Sequence, residues 1–303
     1  METTVTTRER TPAALARAGR GQRGRRGRRA RTWAGNVVVY LVLIAFTLVV
    51  AYPLLALVLG SFKGQYDFYA NPWGWPATFH LDNYVYAWTT AQIPRFFVNS
   101  LIVTASTVVL TLVLASCAAY GFSTFRFRGS RALYLTFALL LIVPSQITII
   151  PLYVIVVRLH LIDTYLALIL PYTAGSLPLS ILLLRAFFDA IPRDLADAAR
   201  VDGCTQRSAF VRVILPISKP GLATVTIVAF INAWNEFFLA LIFIRNQDLM
   251  TLPLGLQSFF YQYRTDYIHL FAALVMSIVP IVVVYVAMQR QFIAGLTAGA
   301  VRG

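Results

Sequence analysis

The chain has 303 residues, a mean hydropathy of +0.70 and 13% charged residues, where a soluble globular domain carries about 25%. That balance excludes an ordinary soluble enzyme folded round one core and points to an integral membrane protein. The net charge of +14 is not evidence for a nucleic-acid partner, because much of it sits in residues 1–35, which hold ten arginines and two glutamates. Such a tail is expected to be disordered. Beside a membrane span it reads as a cytoplasmic anchor on anionic lipid, with RNA binding as the alternative. The apolar run that follows is too long for a cleaved signal peptide.

A helix needs about 20 apolar residues to cross the hydrocarbon. Six segments qualify in chain order: Asn36–Leu59, Phe97–Phe122, Ala132–Val157, Tyr165–Phe187, Gly221–Ile244 and Leu270–Gln289. The third and fourth contain prolines, so kinked or broken helices are expected there, which a membrane tolerates where the backbone is buried in protein. The fold class is therefore all-α, a polytopic membrane protein with six transmembrane helices. The chain divides into a basic tail (1–35), a first span (36–59), an outer loop (60–96), a five-helix core (97–289) and a C-terminal tail (290–303).

Charge orients the spans. The N-terminal tail carries +8, the connection STFRFRGSR +3, residues 188–220 +1 and the C-terminal tail +2, whereas 60–96, 158–164 and 245–269 each sum to zero. The positive-inside rule then places both termini in the cytoplasm. The outer loop is rich in aromatics, YDFYANPWGWP. It suits the headgroup level or contact with an external protein.

The longest inside loop holds DAARVDGCTQRSAFVRVILP, residues Asp197 to Pro216. Pro192 suits the first position of a helix, and Asp194 and Asp197 follow near the positive end of its dipole. Ala196, Ala198 and Ala199 propagate that helix and leave it slim. Gly203 fits a left-handed C-terminal cap. Thr205 is placed to cap a second short helix with Phe210, Val211 and Ile214 on its apolar side, ended by Pro216 and Pro220. The residues alone leave two readings: an elbow that docks in a groove and transmits force, or a linker lying on the membrane.

The pattern Asp197-Ala-Ala-(three)-Gly203-(nine)-Val213-x-Leu215-Pro216 resembles the EAA motif of ABC importer permeases, EAA-x3-G-x9-I-x-LP, with Asp for Glu and Val for Ile. Asn99-Ser100, IVPSQITIIPLY at 142–153, LPISKP at 215–220, NAWNEFFLAL at 232–241 and GLTAGAVRG at 295–303 are similar to carbohydrate permeases of the maltose and glycerol-phosphate type, in particular the shorter six-span partner. The likeness runs from about residue 36 to the C-terminus. It implies the type I ABC importer permease fold in a bacterial inner membrane. It also implies that 188–220 is the coupling loop, with Asp197, Ala198, Ala199, Gly203, Leu215 and Pro216 meeting an ATPase. The tail residues Gly295, Leu296, Thr297 and Gly299, in a stretch of little helical character, would reach between ATPase subunits. Implied partners are a second permease subunit, two ATP-binding subunits and an extracytoplasmic sugar-binding protein. ATP and Mg would be bound by the partner rather than by this chain.

Glu236 is the one acidic residue in the interior of a predicted span, where an ionisable group is functional by default. Asn232, Asn235 and Glu236 are spaced to share one helix face and would line a sugar path, or else make polar contacts with a neighbouring helix. Gln146, between Pro144 and Pro151, would satisfy backbone groups freed by proline or face the channel. No G-x-x-x-x-G-K-[ST] or G-x-S-x-G occurs. The histidines His80, His160 and His269 are scattered, and Cys117 and Cys204 have no metal or disulfide spacing. The competing classes are a polytopic membrane enzyme, which would want clustered carboxylates or histidines, and an ion-coupled secondary transporter, which would want an inverted repeat.

Overall fold

The structure, a computed structural model, describes residues 12–260 and 265–300, with 12–35, 193 and 292–300 described as backbone alone. The chain divides into two units, Met1–Leu57 and Val58–Gly303. The first is occupied by most of helix α1 (Pro12–Ser61). Its backbone is helical from Pro12, ahead of the expected span start at Asn36. Alanine and arginine are both strong helix formers, and proline starts a helix without losing a bond. From Asn36 to Ser61 the helix is 26 residues long with a hydropathy of 2.7, about 39 Å at 1.5 Å per residue.

The second unit opens with two short helices, α2 (Gln65–Ala70) and α3 (Asp82–Thr89), followed by the long α4 (Ile93–Thr124). Pro94 lies in the first turn of α4, which is why the helix begins before the expected Phe97. The third expected span is broken. It consists of α5 (Ser130–Leu140), a tight turn over Ser145–Thr148 and α6 (Ile149–Arg158), and its two halves meet at 99°. Pro144 has no N–H to continue α5 and holds an extended ψ of 128°. Pro151 falls in the first turn of α6, where it costs nothing.

The fourth expected span is one continuous helix, α7 (Leu166–Asp189), through Pro171 and Pro178, so the anticipated break is absent there. A string of buried residues along it, from Ala167 to Phe188, packs on neighbouring helices, and α4 is the principal one. The inside loop forms α8 (Arg193–Val201), α9 (Gln206–Ala209), a wide π turn over Phe210–Ile214 and α10 (Leu215–Ile217).

The fifth expected span is divided between α11 (Lys219–Trp234) and α12 (Phe238–Phe243). After them come α13 (Leu252–Gly255) and α14 (Tyr267–Ala300). The last helix runs through Arg290 and most of the C-terminal tail, which corrects the expectation that this tail lacks helical character. No proline follows Pro280 to stop it.

Among the described residues, four helices are long and apolar enough to cross a membrane, or up to six if each bent pair is one span. The core runs through the unit in three clusters. Phe96, Phe230, Trp234, Leu252 and Leu270 form one. Val103, Leu168, Tyr172 and Phe243 form the second. Tyr120, Leu184, Phe188, Ile214 and Val225 form the third. Trp234 stacks on Phe230 with centroids 5.5 Å apart and donates Nε1–H to the Ser277 carbonyl at 3.1 Å, tying α11 to α14.

Candidate functional site

The loop 188–220 folds as an elbow. Pro192 stands one position before α8 rather than in it, with ψ 132°. At the other end Gly203 has φ +82°, a conformation that L side chains resist. Its N–H bonds to the Arg200 carbonyl at 3.0 Å, and the Cys204 N–H bonds to the Ala199 carbonyl at 2.9 Å. This pair of bonds is a Schellman cap, which satisfies the last carbonyls of the helix and reverses the chain. Thr205 then caps α9, its Oγ1 accepting from the Ser208 N–H at 3.3 Å.

A chain of polar contacts locks the bend. Asp197 pairs with Arg200 at 3.0 Å. Arg200 donates through Nε and Nη2 to the Gln206 side-chain oxygen at 3.2 and 2.9 Å. Gln206 in turn donates to the Tyr120 hydroxyl at 2.6 Å. Tyr120 belongs to α4, and its ring stacks on Phe210 at 4.4 Å. The elbow is thus bolted to a long helix of the core.

The predicted loop residues divide between an outward and an inward side. Asp197 and Ala198 are exposed, and Ala199 is buried. Val201 is 88% exposed and Leu195 is 42% exposed. Leu215 is half-buried against the inner cluster and Pro216 is exposed. Of the predicted apolar side, Phe210 and Ile214 face inward but Val211 is 57% exposed. The π turn inserts an extra residue per turn and rotates Val211 outward.

The residues expected along a path are not carried by one unbroken helix. Asn235 ends α11 with φ −92° and ψ 0°, and Glu236 lies between the two helices. The Glu236 carboxylate accepts from the Leu239 N–H at 2.9 and 3.2 Å and from the Ala240 N–H at 3.3 Å. It also accepts from the Tyr172 hydroxyl at 2.5 Å. Both oxygens therefore cap α12 and clamp it to α7. Asn232 and Asn235 are exposed, and the Asn235 amide donates to the Ile231 carbonyl at 2.9 Å within its own helix. Gln146 is exposed in the turn that breaks the third span. Of the C-terminal residues Gly295, Leu296, Thr297 and Gly299, the backbone lies in α14; their side chains lie outside the described residues.

Sequence reasoning missed a clasp that joins the start of α4 to the segment after α12. Buried Asn99 donates to the carbonyls of Asp248 and Met250, both at 2.9 Å, and accepts from the Tyr165 hydroxyl at 2.7 Å. Buried Ser100 accepts the Leu252 N–H at 2.7 Å, and Arg95 pairs with Asp248. Asp163, at φ +57°, accepts from the N–H groups of Arg245 and Asn246. The Asn99-Ser100 pair was visible as a motif, but its partners lie 66 to 152 positions away, beyond the reach of local spacing.

A model of the binding-protein-dependent transport system inner membrane component matches residues 108–297, well over half of the chain. The chain belongs to that family. The permease is 40% identical over 276 residues to the probable ABC transporter permease protein YurM of Bacillus subtilis, covering 90% of this chain and 91% of the relative. It is 35% identical to the arabinooligosaccharides transport system permease protein AraQ of Halalkalibacterium halodurans, over 84% and 92% of the two chains. It is 32% identical to the diacetylchitobiose uptake system permease protein NgcG of Streptomyces coelicolor, over 86% and 87%. A crystal structure of a bacterial ABC transporter involved in the import of alginate contains a chain of the same fold. Its TM-score is 0.76 at 23% identity, over 85% of the permease and 96% of that chain. The permease is a multi-pass membrane transport component, with its apolar spans built as described.

Proposed function

We propose that this permease is half of the translocation path of a carbohydrate importer, and that the α8–Gly203–α9 elbow couples it to a cytoplasmic ATPase. The observation that carries the reading is the elbow itself: a slim exposed helix bearing Ala198 and Val201, a Schellman turn at Gly203, and a hydrogen-bonded tie to Tyr120 on α4. A load applied to α8 has a stiff route into the membrane helices. Asp197 and Ala198 give close approach, Ala199 packs inward behind them, Gly203 makes the turn, and Leu215-Pro216 returns the chain to α11. The tail residues Gly295, Leu296, Thr297 and Gly299 extend toward the same ATPase.

ATP and Mg are bound by that partner and not by this chain. The assembly comprises a second permease, two ATP-binding subunits and an extracytoplasmic sugar-binding protein, in the bacterial inner membrane with both termini cytoplasmic. The relatives named for arabinooligosaccharides and diacetylchitobiose favour an oligosaccharide cargo. Gln146, Asn232 and Asn235 are the exposed amides that offer hydroxyl contacts along the path. Glu236 acts as a helix clamp instead, its oxygens already engaged.

The test is purification of the tagged full chain in mild detergent from its own host, with mass spectrometry of co-eluting proteins. A Walker-containing ATPase and a second permease are expected. A folded chain that elutes alone would overturn the assignment.

A further inference from the structure

A cavity of about 1080 Å³ opens between the α4–α5 connection, the end of α7 and the start of α8. Its wall carries Arg126, Arg128, Arg185 and Arg200 against Asp189 and Asp197. The two carboxylates are occupied. Asp197 pairs with Arg200, and Asp189 lies 3.3 Å from Arg185 Nε. Arg185 is held with its guanidinium 3.9 Å above the Tyr134 ring, and its buried Nε makes no hydrogen bond. Among the described residues Arg126 and Arg128 have no ion-pair partner. The cavity therefore holds two uncompensated positive charges with free donors.

Beside them Phe125 is 51% exposed and Phe127 is 43% exposed. The stretch Phe125-Arg126-Phe127-Arg128 follows directly on the membrane-length α4. Guanidinium forks match phosphate oxygens, and exposed aromatics at the end of a span sit at the polar–apolar boundary. A soluble anion would use the arginines and leave both phenylalanines in water. An amphiphile uses all four. The basic excess at this end of the spans is the cytoplasmic signature, and the cytoplasmic leaflet is the anionic one.

We propose that this cavity takes the headgroup of an anionic phospholipid, with its phosphate on Arg126 and Arg128 and its acyl side along Phe125 and Phe127. The assignment rests on the membrane orientation given under Proposed function. Arg200 lines the same cavity and also holds the elbow through Gln206, so an occupied site adjoins the coupling joint.

The test uses the purified complex in nanodiscs of phosphatidylcholine with or without phosphatidylglycerol, with native mass spectrometry of retained lipid. Wild type is expected to retain phosphatidylglycerol over phosphatidylcholine. The Arg126→Gln/Arg128→Gln double variant should bind it about twenty-five-fold more weakly, from about five-fold per arginine near an anionic surface. Equal retention of the two lipids, or retention unchanged in the double variant, would overturn the site. Inorganic phosphate that displaces the retained phosphatidylglycerol would overturn the lipid as its source. Co-elution of the ATPase and second permease is scored on the same preparation. Lost partners with lipid retained would therefore count against the function and for the cavity.

Discussion

Replacing Gly203 tests the elbow most directly. Its φ of +82° is the left-handed region, while a Cβ built there meets nothing within 4 Å. A side chain therefore causes no clash inside this chain, and the cost is conformational alone. For an ordinary residue that cost is about 1–2 kcal/mol, a factor of roughly 5–30 in the population of the correct turn. Asparagine tolerates this region and a β-branched residue does not. Gly203→Val should thus cut uptake by about that factor, at unchanged membrane abundance because one surface turn is at stake. Gly203→Asn should retain most of it. The assay is labelled-sugar uptake in cells, normalised by immunoblot of the membrane fraction, with ATPase activity of the purified complex alongside. Wild-type uptake by Gly203→Val would refute the claim that the Schellman geometry matters. Equal damage by asparagine and valine would show that lost space against a partner, not the backbone, sets the effect.

Three further outcomes follow from the polar contacts. Tyr120→Phe keeps the Phe210 stack but removes the acceptor for Gln206; it should cost about 1 kcal/mol of stability and lower transport per ATP hydrolysed in proteoliposomes. Asn99→Ala strands two carbonyls and the Tyr165 hydroxyl, and should lower the detergent melting temperature by the equivalent of about 1–3 kcal/mol for each group left unsatisfied in the interior. Glu236→Gln should leave substrate KM unchanged while loosening α12, seen as faster proteolysis; a shifted KM with unchanged stability would return Glu236 to the sugar path.

The sequence made some of this architecture legible because the signals are local. Gly203, Thr205 and the alanines specify a cap and a slim helix by type and spacing, and the elbow has them in those roles. Pro144 marked the break in the third span, since a missing N–H is readable from one letter. Pro171 and Pro178 carry the same letter but sit in a helix packed along its length on α4, so tertiary contacts hold α7 continuous. The fifth span failed for the opposite reason. NAWNEFFLAL is apolar enough to look unbroken, yet Glu236 turns to cap α12 and meets Tyr172, 64 positions away. The Asn99–Ser100 clasp was opaque because hydrogen bonds between distant segments leave no periodic trace. At both ends the helical backbone extends past the expected span limits, because charge and glycine do not by themselves end a helix already begun.

The length of α4 has a mechanical result. Asn99 grips the outer segment and Tyr120 grips the elbow, 21 residues apart on one helix, a span of about 32 Å. Between them runs no proline. The helix is a connecting rod: under the coupling proposed above, displacement at the elbow would reappear at the Asn99 clasp in the same stroke. A bridge that freezes either end would arrest the other.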